Sequence, residues 1–146
     1  MSIEDDVALL ERVPTLRLLG TTALRMLAIG SEQREYASGD FLFNAGDDAD
    51  AGYIVQRGAF RVEDGGAEII AGPGALIGEL ALIVAMRRPS SAVAIEPTTV
   101  IRVARSLFQR VLESDPAAAR RLRDELATRT SQLASDILIA GAKLST

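Results

Sequence analysis

The sequence predicts an α+β fold: a barrel or jelly roll of short strands with helices at both ends. Apolar residues recur at helical spacing near each terminus, while short apolar stretches between glycine and aspartate turns fill the middle. No linker, repeat or low-complexity segment divides the 146 residues, a length that suits one domain with a core needing no staples.

Residues 4–35 read as helical. Val7, Leu9, Leu10 and Val13 lead to Pro14, and Leu16, Leu18, Leu19, Leu24, Leu27 and Ile29 continue the pattern, broken by Gly20 and Gly30. Strands follow at Phe41–Asn44, Tyr53–Gln56, Phe60–Glu63, Glu68–Ala71, Ala75–Ile77, Ser91–Ile95 and Thr99–Val103. The turns between them are Gly39-Asp40, Gly46-Asp47-Asp48, Gly58, Asp64-Gly65-Gly66 and Gly72-Pro73-Gly74. Even spacing of this kind favours a barrel or jelly roll over a parallel sheet. Ser106 is a candidate cap for a short helix through Glu113, and Asp115-Pro116 starts a last helix expected to run to about Ile139. The reading is therefore a helical segment 1–35, a β core 36–105 and C-terminal helices 106–140.

Composition removes several chemistries. There is no cysteine and no histidine, so thiolates, imidazole metal ligands, the serine–histidine triad and the commonest general base are all absent. That weighs against an enzyme, including a small isomerase or hydrolase on a jelly roll, and no metal is expected. The net charge of −4 argues against direct nucleic-acid binding. The acidic start lacks the layout of a signal peptide, and no apolar run reaches the ~18–20 residues that span a bilayer, so a cytoplasmic protein away from membranes is expected.

The chemistry concentrates in the run from Gly74 to Val93. A strand ends at Gly78, the short apolar run Glu79-Leu80-Ala81-Leu82 follows, and then come Arg87, Arg88, Pro89, Ser90 and Ser91. Gly78 permits close backbone approach, and the amides after it would open a helical turn, where free N–H groups bind anions. Arg88 can return to the same place and clamp a phosphate, with a hydroxyl of Ser90 or Ser91 as a further donor. Glu79 would repel a phosphate unless it accepts from a neighbouring sugar hydroxyl. The residues alone thus point to a phosphorylated sugar or nucleotide, or else to a structural Glu79–Arg88 ion pair. Arg87 reads as a solvated loop residue.

Other motifs dissolve on inspection. Gly72-Pro73-Gly74 with Gly78 misses the dinucleotide spacing because position 77 is Ile77, and the only lysine, Lys143, excludes a P-loop. Asp47, Asp48 and Asp50 read as a turn capped by its own carboxylates.

Gly78-Glu79-Leu80-Ala81, six residues, then Arg88 resembles the phosphate-binding cassette of cyclic-nucleotide-binding domains. Gly39-Asp40, Gly46-Asp47, Tyr53-Ile54-Val55 and Gly58 also fall where that family places its early strands and turns, so the resemblance covers roughly 7–138. It implies an eight-stranded jelly-roll barrel with N-terminal helices and a long C-terminal helix, and a cassette at 77–92. It implies cAMP, ahead of cGMP, as the ligand, with no further cofactor. Glu79 would accept from the ribose 2′-OH, and Arg88 would pair with the cyclic phosphate. The backbone at Gly78, Leu80 and Ala81 would line the sugar-phosphate, with Ser90 and Ser91 nearby. Pro89 departs from the pattern, since a small residue with a backbone N–H usually stands there. The last helix, with Ala119, Leu122, Leu126, Leu133 and Ile137 near one stripe, would lid the base and form a homodimer seam. A separate effector protein is a further expected partner. The alternative is a degenerate member that kept the fold and serves as a ligand-free interaction or dimerisation module.

Overall fold

The computed structural model describes residues 2–64, 66–128 and 137–139. Three helices open the chain: α1 (Ile3–Glu11), α2 (Pro14–Arg17) and α3 (Thr21–Gly30). Ser2 caps α1 in a reciprocal box with Asp5, each side chain taking the other's backbone N–H. Pro14 sits at the start of α2, where its missing N–H costs nothing.

Ten strands follow. They are β1 (Glu32–Tyr36), β2 (Phe41–Phe43), β3 (Asp48–Ala49), β4 (Ala51–Arg57), β5 (Phe60–Asp64), β6 (Ala67–Ala71), β7 (Ala75–Ile77), β8 (Met86–Arg87), β9 (Ala92–Ala94) and β10 (Thr98–Ala104). A 3₁₀ turn, Glu79–Leu82, lies between β7 and β8. Then come α4 (Arg105–Ser114), α5 (Pro116–Thr128) and β11 (Ile137–Ile139). Among the described residues the strands form three antiparallel sheets, ordered β1-β10-β4-β7-β11, β2-β9-β5-β6 and β3-β8.

Period-two alternation on β4 and β10 divides the interior into two cores. Ile54, Leu76, Ile101 and Val103 face the helices and join Leu10, Leu16, Leu24, Leu27, Phe108 and Leu122. Tyr53, Val55, Ile77 and Val100 face the other way, onto Phe43, Phe60 and Val62 of the four-stranded sheet. The five-stranded sheet is thus the middle layer of three.

All seven expected strands are present, within a residue or two at their ends. The other expectations shift. Eleven strands are described rather than eight, because β1, the two-residue strands β3 and β8, and β11 carry no alternating pattern. The sheet begins at Glu32, inside the segment expected to be helical to residue 35. Helix α3 ends at Gly30, against Leu107, and β1 pairs with β10 from Glu32↔Arg102 to Tyr36↔Thr98. Helix α4 starts at Arg105 without a side-chain cap, so Ser106 lies inside it. Asp115 does cap α5, its Oδ1 accepting from the Ala118 N–H at 3.1 Å. The described part of α5 ends at Thr128, and Ile137–Ile139 pair with β7 as a strand instead of extending the helix. Leu133 of the expected stripe lies outside the described residues.

Candidate functional site

Gly78 turns the chain out of β7 in the left-handed region, φ 84° and ψ 37°. No side chain would be easy there. A Cβ would come 2.6 Å from Arg88 Nη1 and 3.2 Å from the Ala51 carbonyl oxygen. The apolar run after it forms the 3₁₀ turn, with the Ala81 N–H bonded to the Gly78 carbonyl at 3.1 Å. Glycine is therefore what lets the turn and the arginine lie against each other.

Arg88 reaches this point from the far side of the loop. Its backbone is pinned to the Asn44–Asp47 turn: its N–H donates to the Asp47 carbonyl at 2.7 Å, and the Gly46 N–H donates to its carbonyl at 2.8 Å. The guanidinium is driven inward, and the residue is only 4 % exposed. Nη2 donates to the Ala51 carbonyl at 2.9 Å, and Cζ sits 4.1 Å over the Phe43 ring and 5.6 Å from that of Tyr53. An aromatic cradle of this kind offsets part of the cost of taking a cation out of water.

Glu79 is equally buried, at 3 % exposure. Its Oε2 accepts from the hydroxyl of Thr15 on α2. Ser90 Oγ is buried without a hydrogen-bond partner among the described residues, whereas Ser91 Oγ accepts from the Ala45 N–H at 2.8 Å and ties that turn to the start of β9. Leu80 is half-buried and Ala81 fully so. Arg87 is exposed and donates to the Gly46 carbonyl at 3.3 Å. Asp47 Oδ2 accepts from the Asn44 N–H at 3.0 Å, the self-capped turn expected there. The structure thus brings Gly78 and Arg88 together, sets Glu79 one residue on, and keeps Ser91 on its own loop.

Three participants gave no signal in the sequence. Phe43 and Tyr53 read as ordinary strand residues, and Thr15 as one more position in an apolar helix. A fourth, Arg105, closes the back of the cassette. Its Nη1 donates to the carbonyls of Ala49, Ala81 and Val84 at 2.8, 3.1 and 3.2 Å. A basic residue at a strand–helix junction was the only cue. Behind the turn lies an apolar groove of about 310 Å³ bordered by Leu82, Ile83, Leu112, Ala119, Leu122 and Leu126.

The family profile described as the cyclic nucleotide-binding domain matches residues 33–115. The chain belongs to this family. The cyclic AMP receptor protein of Thermus thermophilus is 35% identical over 104 residues, 67% of this chain and 48% of that protein. An uncharacterized NTE family protein of Mycobacterium tuberculosis is 31% identical over 133 residues, 84% of this chain and 23% of that protein. A solved cyclic nucleotide-binding-like protein from Brucella abortus matches with TM-score 0.67 and 38% identity, over 75% of this chain and 98% of that one. The chain spans about a quarter of the NTE family relative and about half of the receptor protein. Within this cyclic-nucleotide-binding domain the matched region contains the whole segment from Gly78 to Ser91. No helix among the described residues is long and apolar enough to cross a membrane.

Proposed function

We propose that this domain is a regulatory, non-catalytic module that binds a cyclic nucleotide, cAMP ahead of cGMP, and passes its occupancy to the C-terminal helix. One observation carries the reading beyond family membership: a buried arginine held against a left-handed glycine turn, one residue from a buried glutamate. Burying a cation is costly, and an oriented guanidinium is suited to a phosphate rather than to packing. On binding, phosphate oxygens replace the Ala51 carbonyl as acceptors for Arg88. Ser90 Oγ and the Ser91 O–H donate as well, which matters because Pro89 brings no N–H. Glu79 accepts from the ribose, and the backbone of Gly78, Leu80 and Ala81 lines the sugar-phosphate.

The route to the helix is the apolar groove. Leu82 and Ile83 of the 3₁₀ turn and its exit share it with Leu122 and Leu126 of α5. A turn displaced by ligand repacks that groove. Occupancy then shifts α5 toward whichever arrangement binds nucleotide better, which is the only way a ligand can drive a switch. Homodimerisation through α5 uses its outer flank, since Leu122 is committed to the domain's own core.

Calorimetry and thermal shift test the reading. At a nucleotide concentration 100-fold above Kd the stabilisation is about 2.7 kcal/mol, a rise in Tm of roughly 5–10 °C. Arg88→Ala is expected to weaken cAMP binding at least about tenfold, ~1.4 kcal/mol, close to the lower end of what one charge-assisted bond contributes. Unchanged affinity in that variant removes the phosphate contact. No shift with millimolar cAMP or cGMP supports the second reading, an interaction module without ligand. Arg88's own bond to Ala51, together with Pro89, favours that reading.

A further inference from the structure

The loop from Gly78 to Arg88 joins the two ends of the candidate site, so its path sets how they face each other. Its second half is thinly built. Val84 and Ala85 are exposed, and β8 brings only Met86 and Arg87 to its pairing with β3. Three carbonyls along this path converge on one side chain. Arg105 Nη1 donates to Ala49 on β3 at 2.8 Å, to Ala81 on the 3₁₀ turn at 3.1 Å, and to Val84 past the turn's exit at 3.2 Å. That nitrogen carries two protons, so one of them is shared between two carbonyls. Ala49 and Ala81 are 2 % and 1 % exposed, so water is badly placed to replace the guanidinium there.

The other side of the contact is firm. Arg105 opens α4 directly after β10, and its own N–H donates to the Asp50 carbonyl at 2.8 Å. Ala104 before it pairs with Ala51 in the ladder of β10 with β4, and Phe108 and Val111 after it are buried in the helical core. We infer that Arg105 is a positioning residue for nucleotide binding, acting through the loop and not on the ligand: it holds the chain between Gly78 and Arg88 on the path along which the two meet. The inference rests on the reading of this site as a nucleotide pocket. Without the clamp the free loop samples other paths, and a competent population cut to about a tenth lowers apparent affinity about tenfold. That loss falls on association. Loss of a direct phosphate contact, as in Arg88→Ala, falls on dissociation.

The test uses the full chain, calorimetry with cAMP, and stopped-flow with a cAMP carrying a fluorophore on its adenine. Arg105→Met keeps the length of the side chain and removes its donors. It is expected to weaken cAMP about tenfold, with association slowed to match and dissociation within about twofold of the unsubstituted protein. Arg105→Lys is expected to recover most of the affinity, because a single nitrogen makes all three contacts and an ammonium has three protons. Unchanged affinity in Arg105→Met, a loss carried by dissociation, or failure of lysine to rescue overturns the positioning role. Unsubstituted protein that binds neither cAMP nor cGMP removes the nucleotide reading itself, and the inference with it. A measurement without any variant guards against loss of fold. By NMR of the ligand-free protein, the Arg105 Nη1 protons are expected to exchange slowly with water. Rapid exchange there would show that the three carbonyls are not held, and the positioning role falls.

Discussion

Gly78→Ala tests the geometry of the cassette without any ligand. The substitution places a Cβ on a residue at φ 84°, and the left-handed conformation costs a non-glycine residue about 1–2 kcal/mol. The new atom also stands 2.6 Å from Arg88 Nη1, too close for both to stay. The guanidinium has little room to yield, because Nη2 is bonded to the Ala51 carbonyl and the plane lies on Phe43. Losing that bond adds about 1.5–3 kcal/mol, for a total of roughly 2.5–5 kcal/mol. Gly39→Ala is the control: its φ is 91°, but nothing lies within 4 Å of its Cβ, so only the conformational part, about 1–2 kcal/mol, applies. Urea unfolding of both variants separates strain from collision. A double-mutant cycle sharpens it. In an Arg88→Ala background, Gly78→Ala falls back to about 1–2 kcal/mol, a coupling of about 1.5–3 kcal/mol. If the two substitutions add, or if Gly78→Ala costs no more than Gly39→Ala, Arg88 does not pack against the turn and the described site is wrong.

Three further outcomes follow from single features. Ser91→Ala deprives the Ala45 amide of its acceptor, costs about 1 kcal/mol, and accelerates hydrogen exchange at Ala45; unchanged exchange there would detach Ser91 from the turn. Asp6 is shifted up from its ordinary pKa of 3.8, mainly by desolvation, so its charged form is disfavoured in the folded chain. That penalty is present above the folded pKa and is relieved as pH falls through it. Asp6→Asn is therefore expected to raise Tm at neutral pH, with the advantage shrinking in acid, and a pH-independent difference would refute the assignment. Leu138→Pro removes an N–H from β11 and is expected to speed exchange at Ala75–Ile77 while the β4–β10 amides stay protected; no change at β7 would mean that β11 does not pair there.

What was legible in the sequence follows from what each element depends on. Strands β4 and β10 alternate visibly because each side chain chooses between two cores, and all the strands that share this property were readable. Strand β1, Glu-Gln-Arg-Glu-Tyr, has no apolar face and is largely exposed; only its ladder to β10 makes it a strand, and a ladder partner leaves no local trace. The same holds for β11, whose Ile-Leu-Ile continues a helical stripe on paper but completes the edge of β7 in space. At the site, Gly78, Glu79 and Arg88 were legible because a turn, a carboxylate and a cation at fixed spacing constrain the chemistry. Phe43, Tyr53, Thr15 and Arg105 were not, since their roles come from long-range contacts among residue types that are ordinary where they stand.

The two cores meet at the cassette. Gly78 sits where the middle sheet ends, with two buried charged side chains, Glu79 and Arg88, beside it. Arg88 goes to the sheet–sheet core, onto Phe43 and beside Tyr53. Glu79 Oε2 accepts from Thr15 of the helical layer. A ligand that engages both must bridge the two layers, its phosphate drawing on one and its sugar on the other. On the proposed reading the sugar contact lies against the helical layer, where Arg121 of α5 is bonded to the Leu18 and Leu19 carbonyls that follow α2. On that reading affinity and signal are carried by different residues. Arg88→Ala is expected to weaken both together, whereas Thr15→Val is expected to leave phosphate-driven binding of 2′-deoxy-cAMP intact while weakening the response of α5. That separation, read as the nucleotide-induced change in α5 amide exchange at saturating ligand, decides whether the helical layer listens to the sugar or merely supports the sheet.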